Sequence, residues 1–264
     1  MPVFPTIVEV GGVPIRLNCE NDEYSRVLAR RFDGFVRSGA EPLFEFDIEL
    51  ADPRAPDPDD EVRVTRDRHR WTIERSDCEA VLDVDSGRGR IRQPPYPYAT
   101  DTVLRILHSL LLAPRGGLLL HASSVIRHGQ AFLFFGPSGA GKSTMVAMAP
   151  ADAIVLSEEI SYLRREAGAY FGCGTPFTGE LNRRGDNTDA PLGGLFHLVQ
   201  GSEDRIDPLA RGEALRVLLQ SVLCFAGDAT VTKQVFAAAC DLVDHAPVQR
   251  LVFRRDPRVW EMIT

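Results

Sequence analysis

Residues 136–143 read Gly136-Pro137-Ser138-Gly139-Ala140-Gly141-Lys142-Ser143, and they fill every fixed position of the pattern G-x-x-x-x-G-K-[ST]. Glycines spaced in this way let successive backbone N–H groups turn toward an anion without Cβ clashes. The flanks suit the same reading. Phe132 to Phe135 supply an apolar strand ahead of the loop, and Met145 to Met148 begin a helix after it. The start of that helix adds partial positive charge. The expectation is a site for ATP with Mg²⁺ running from Gly136 to Thr144, with Lys142 on the β- and γ-phosphates and the Ser143 hydroxyl on the metal. A Gly-rich strand-to-helix turn can match the pattern by chance, but correct flanks on both sides favour the phosphate loop.

A triphosphate site also needs a carboxylate near the metal. Downstream, Ile154-Val155-Leu156-Ser157-Glu158-Glu159 is an apolar strand ending in two acids, with Glu158 lying 16 positions after Lys142. That is room for one helix and one strand, so the acids are predicted at the carboxyl end of the strand next to the loop strand. The bland alternative is an exposed Glu pair at a strand end. Arg183, Arg184, Arg211 and Arg216 are candidates to stabilise a transferring phosphoryl group, although each taken singly reads as a solvated surface residue. The polar segment from Asn182 to Asn187 is expected to move over the site.

Around this centre the chain divides by composition. Residues 1–98 form an α+β module, a possible substrate-holding element, and residues 99–264 form an α/β core. In the module, Ile7 to Val10 and Val13 to Leu17 flank Gly11-Gly12 as a hairpin, and Tyr24, Val27, Leu28, Arg31, Phe32 and Phe35 recur at helical spacing, with Arg31 snorkelling. Alternation marks a strand at Phe44 to Leu50, and Asp52 to Asp60 is a loop of prolines and aspartates. Further strands fall at Val62 to Val64, Trp71 to Ile73 and Ala80 to Val84, closing on a Gly87-Arg88-Gly89 turn. Beyond Pro94, Pro95 and Pro97, Thr100 or Asp101 caps a helix that ends at Pro114. Nearly continuous apolar runs at Leu118 to Leu120, Phe132 to Phe135 and Ile154 to Leu156 then suit buried strands. Helical patterns follow at Ala214 to Phe225 and at Val235 to Val243.

Composition closes off other classes. The 264 residues carry a net charge of −7, which argues against a protein built to neutralise nucleic-acid phosphates. No apolar run approaches the roughly 20 residues of a membrane span, and the N-terminus lacks the marks of a signal peptide. Five cysteines without a CxxC pair read as reduced thiols in a cytoplasmic protein, with no zinc site.

Three features between His121 and Glu159 resemble the HPr kinase/phosphorylase family, whose core is similar to that of phosphoenolpyruvate carboxykinases. They are His121-Ala122-Ser123-Ser124-Val125 ahead of the loop, the loop itself, and Glu158-Glu159 at the place of the family's Asp-Asp pair. Gly174-Thr175-Pro176-Phe177-Thr178-Gly179-Glu180, then Pro191-Leu192, and the ending Ala246-Pro247-Val248 are weaker likenesses. The resemblance implies an α/β fold with a P-loop core of the HPr kinase/carboxykinase type behind the N-terminal α+β module. It also implies a kinase that phosphorylates a hydroxyl. Carried over by position, Glu158 is the general base, Glu159 assists it or holds Mg²⁺, and His121 tunes the base or the phosphates. A core histidine satisfied by a neighbour fits His121 equally well.

This chain departs from the family in its glutamates, in Thr144 where the family has an acid after the loop serine, and in lacking the Ile-Arg-Gly-Leu-Gly-Ile segment. HPr itself is therefore not the expected substrate. Relatives of this short build include kinases of ribosomally made precursor peptides such as lasso peptides, which points to a serine of a protein or peptide, with homo-oligomers implied by the family. A small-molecule kinase and a nucleotide-binding regulator that transfers nothing are the competing readings.

Overall fold

The computed structural model describes residues 2–52, 61–179 and 181–263. Residues 53–60 of the Asp/Pro-rich loop, and Glu180, lie outside the described residues. The chain forms two compact units. One runs through Leu111 and takes in Phe225–Thr232; the other comprises Leu112–Cys224 and the chain from Lys233 onward.

The first unit contains β1 (Phe4–Val10), β2 (Val13–Cys19), α1 (Asp22–Arg31), β3 (Phe44–Leu50), β4 (Arg63–Asp67), β5 (Arg70–Arg75), β6 (Cys78–Asp83), β7 (Arg88–Gln93) and the body of α2 (Tyr98–Leu112). Its sheet has the order β1-β2-β3-β7-β6-β5-β4, parallel where β2, β3 and β7 adjoin and antiparallel elsewhere. Alternation along each strand buries Val8, Val10, Ile15, Leu17, Phe44, Phe46, Ile73 and Ile91 on one face. Strand β7 sits where a turn was expected around Arg88. Its sequence, RGRIRQ, offers one apolar side chain to the core, so periodicity alone cannot find it.

Two polar expectations change for a single reason. Arg31 does not snorkel to water; it forms an ion pair with Asp101, and both side chains are largely buried. Nor do Thr100 and Asp101 cap α2, which begins at Tyr98. Instead, the Thr100 hydroxyl donates to Gln93 Oε1 at 2.9 Å and lies 3.2 Å from the Tyr24 hydroxyl. These groups form a buried polar network tying α1, β7 and α2, and a buried network holds only when its members are satisfied.

The second unit holds β8 (Leu118–Arg127), β9 (Gln130–Phe135), α3 (Lys142–Ala147), β10 (Ile154–Ser157), β11 (Ile160–Glu166), β12 (Ala169–Cys173), β13 (Asp189–Gln200), β14 (Arg205–Pro208), α4 (Arg211–Leu219), most of α5 (Ala229–His245) and β15 (Val248–Phe253). Strands β8 and β13 are long enough to belong to two sets of partners. Through Ala122 to Arg127, β8 pairs with β9, while Leu118 to His121 pair with β11. Likewise, β13 pairs with β12 near Asp189 and with β9 from Leu192 to His197. Because β11 also pairs with β12, the five strands β8, β11, β12, β13 and β9 close into a ring of backbone hydrogen bonds. Strands β10, β15 and β14 extend it at the sides.

Helix α4 stops at Leu219, short of the expected Phe225. Its continuation is used as backbone instead: His121 N donates to Ser221 O at 2.7 Å and Leu223 N to Leu119 O at 2.9 Å, along β8. Among the described residues no helix is long and apolar enough to cross a membrane.

Candidate functional site

Strand β9 is buried along Ala131 to Phe135 and runs into the glycine-rich loop. Pro137, Ser138 and Gly139 stand exposed at its tip, whereas Gly136 and Ala140 are buried. Gly141, with φ of 108°, leads into α3 in a left-handed conformation. A Cβ there would lie 2.6 Å from Phe253 Cζ, so only glycine lets the loop close over β15. Lys142 is 9% exposed, and its ammonium donates to Gly136 O at 3.1 Å and Pro137 O at 3.2 Å. Ser143 and Thr144 are half-buried on the first turn of α3. Because α3 has only six residues, directed N–H groups contribute more here than a helix dipole can. Two neighbours hold the loop: Ser123 Oγ donates to Lys142 O at 3.0 Å, and Gln200 Nε2 to Gly139 O at 2.7 Å.

The strand carrying the glutamates is not the direct neighbour of β9. Strand β8 lies between them, antiparallel to both, so β9 and β10 run parallel and their carboxyl ends face one edge. Two inter-strand steps put those ends about 10 Å apart. Ala122 links them, being in register with Phe135 on one side and donating its N–H to Glu159 O at 2.9 Å on the other.

The two acids differ. Glu158 is 2% exposed; its Oε1 accepts the Gly179 N–H at 2.5 Å, and its Oε2 has no hydrogen-bond partner among the described residues. Glu159 is half-buried, and its side chain lies against the Gly179 backbone. The segment that delivers Gly179 is fixed to β10 rather than loose. Thr175 N donates to Leu156 O and Asp186 N to Val155 O, at 2.9 and 2.8 Å. A Cβ on Gly185 would fall 1.7 Å from Leu156 O. The 182–187 stretch, expected to move over the site, is therefore pinned at Gly185 and Asp186, with Arg183 and Arg184 exposed beside it.

A cleft of about 870 Å³ opens beside the loop, lined by Gly136 to Ala140, His121, His197, Gln200, Arg216 and Gln220 among others. Thus the structure brings together the loop, His121 and one of the four candidate arginines. Arg211 is instead committed to Asp244 at 2.6 Å. Burial, with Arg250 and Arg216 close by, lowers the His197 pKa and keeps the ring neutral. His197 and Gln200 escaped the sequence reading because β13 looks like an apolar core strand; only its register with β9 brings them beside the loop. Among the described residues no group of three or more His, Cys, Asp or Glu side chains forms a metal cage. A Mg²⁺ carried by a nucleotide would need only one or two protein oxygens, and the Ser143 hydroxyl and the Glu158-Glu159 carboxylates are the groups that could supply them.

Comparison with known proteins adds three findings. A search of curated proteins finds no match. Among solved structures, the HPr(Ser) kinase/phosphatase from Coxiella burnetii is weakly similar, with 10% identity and a TM-score of 0.33 over 55% of this chain and 92% of that one. A family model described as SynChlorMet cassette protein ScmC matches residues 99–264. That match takes in the loop, the acids and the whole cleft, and the chain belongs to the ScmC family of SynChlorMet cassette proteins.

Proposed function

We propose that the chain is an ATP-dependent phosphotransferase that moves the γ-phosphoryl group to a hydroxyl, a serine of a protein or peptide. The observation that carries this reading is the loop with its lysine folded onto its own carbonyls, at the same sheet edge as a buried glutamate whose Oε2 has no partner among the described residues. Lys142 exchanges the Gly136 and Pro137 carbonyls for the β- and γ-phosphate oxygens, which bear more negative charge. The loop N–H groups hold the polyphosphate, and Ser143 with Glu159 would hold Mg²⁺. When bound, that ion neutralises charge on the β- and γ-oxygens.

In transfer, the acceptor oxygen bonds to the γ-phosphorus, the bond to the β-γ bridging oxygen breaks, and ADP leaves. The hydroxyl proton passes to Glu158 Oε2, which has no partner among the described residues, while the Gly179 N–H orients the carboxylate through Oε1. Incubation of the full chain with [γ-³²P]ATP and serine-containing candidate peptides tests this. Label on a peptide that is lost with Glu158→Gln supports it; tight ATP binding with no transfer to any acceptor refutes it. A second reading, nucleotide binding without transfer, draws on a specific observation. Glu158 is 2% exposed, its Oε1 is taken by the Gly179 N–H, and it is not among the cleft-lining residues.

A further inference from the structure

The cleft beside the loop has a wall that the proposed reaction leaves unused. We propose that Arg216 and His197 form the receiving site for the terminal phosphoryl group of the nucleotide, so that this wall discriminates triphosphate from diphosphate. The inference rests on the nucleotide reading above and adds residues to it.

The loop itself fixes which end of a polyphosphate meets the cleft. In a loop of this pattern the lysine reaches the β- and γ-phosphates. Here the Lys142 ammonium sits on the carbonyls of Gly136 and Pro137, and both residues line the cleft. The terminal phosphate therefore points toward the strand-side half of the loop and the wall opposite it. That wall carries His197 and Arg216. His197 is in register with Phe135, the last residue before the loop, and its ring lies 5.6 Å from the Phe135 ring. Its position along the strand direction is thus fixed by backbone pairing.

The chemistry of the two side chains suits a phosphoryl group. Among the described residues Arg216 has no ion-pair or hydrogen-bond partner, whereas its neighbours are committed: Arg211 to Asp244, and Arg250 to Glu213. A guanidinium offers parallel N–H donors that match two phosphate oxygens. The His197 Nδ1 is buried with no partner among the described residues. Burial and the two nearby arginines keep the ring neutral, so it has one N–H to donate and adds no competing charge. An arginine supplied from the same chain is a known means of stabilising charge on a transferring phosphoryl group. Gln200, holding Gly139 O, sets the loop's distance from this wall.

The test compares binding of ADP and of β,γ-imido-ATP, each with Mg²⁺, to the full chain by calorimetry. The unaltered chain binds the triphosphate analogue more tightly. Arg216→Gln lowers affinity for the analogue by about ten- to a hundredfold, the worth of a charge-assisted hydrogen bond, and leaves ADP affinity unchanged. Arg216→Lys recovers part of the loss, having charge but no fork, and His197→Gln gives a smaller loss of the same selective kind. Arg216 is exposed, so its two variants fold, and circular dichroism checks the fold of all three. Equal weakening of both ligands, or no change in either, overturns the inference while Lys142→Ala still abolishes both. If the unaltered chain binds neither ligand, the inference and the nucleotide reading fall together.

Discussion

Across the exposed face of the first unit's sheet, Glu45, Asp47 and Glu49 of β3 stand in register with Arg88, Arg90 and Arg92 of β7. Asp83 and Glu79 of β6 flank the outer two arginines from the other side. Arg16 pairs with Glu45, and Arg90 and Arg92 with Glu49. The second unit treats its polar groups differently around the loop. There the Glu158 Oε2, the His197 Nδ1 and the Ser124 Oγ are buried with no partner among the described residues. Buried polar atoms are usually satisfied, so each of these stands out, and of the three only His197 lines the cleft beside the glycine-rich loop. Cross-strand compensation in the first unit points the other way: that face is solvated and offers no excess charge to a ligand.

The contrast can be broken at several points, and the largest effect is expected at the lysine. Lys142→Ala should remove all phosphoryl transfer with the circular dichroism spectrum unchanged; retained turnover would strip Lys142 of its role. Next comes the segment that holds Glu158. Gly185→Ala forces a Cβ into Leu156 O, and with no side chain able to give way it should cost about 4 kcal/mol or more, read as a lowered urea midpoint.

Glu158→Gln keeps the shape and the bond to Gly179. It should leave ATP affinity in place while slowing transfer by about 10², or about 2.7 kcal/mol. A larger loss from Glu159→Gln would exchange the roles of the two acids.

Near neutral pH, smaller effects lie in the first unit. Burial pushes His108 down to about 3, so between there and its ordinary 6.5 the unfolded chain takes up a proton that the folded chain refuses. Stability is therefore full above about pH 6.5 and falls as pH drops, by up to about 1.4 kcal/mol per unit. His108→Gln should flatten that acid limb in urea titrations at successive pH values. Smallest of all, Arg90→Ala on the exposed ladder should shift stability by no more than about 0.5 kcal/mol, and less at high salt.

The order of these effects follows what the sequence could and could not disclose. The loop, β8, β9 and β10 were legible because each is a local pattern: a glycine spacing, or an apolar run bounded by breakers. Thr100 and Asp101 were misread as caps, since a capping residue and a buried network member look alike until Tyr24, Gln93 and Arg31 are brought beside them. Strand β7 was hidden because its pairing with β3 and β6, and not its own hydrophobicity, makes it a strand. The acids were placed at the correct edge but one strand too near, because chain spacing counts connections and says nothing of which earlier strand intervenes. Glu158's bond to Gly179 joins residues on separate segments, and a single sequence carries no trace of it.

The ring of β8, β11, β12, β13 and β9 has a mechanical consequence. A hoop cannot be unpicked from a border, so fraying has to begin outside it, among β14, β15 and β10 in the order their outer sides are least held. Strand β9, clasped along both sides, is among the last to surrender its amides to solvent. The glycine-rich loop is thus moored to the closed ring, whereas the acids hang from a strand outside it, held on its far side by the Thr175 and Asp186 backbone. Small excursions would alter the gap between the carboxylates and the glycine-rich loop while the loop keeps its form.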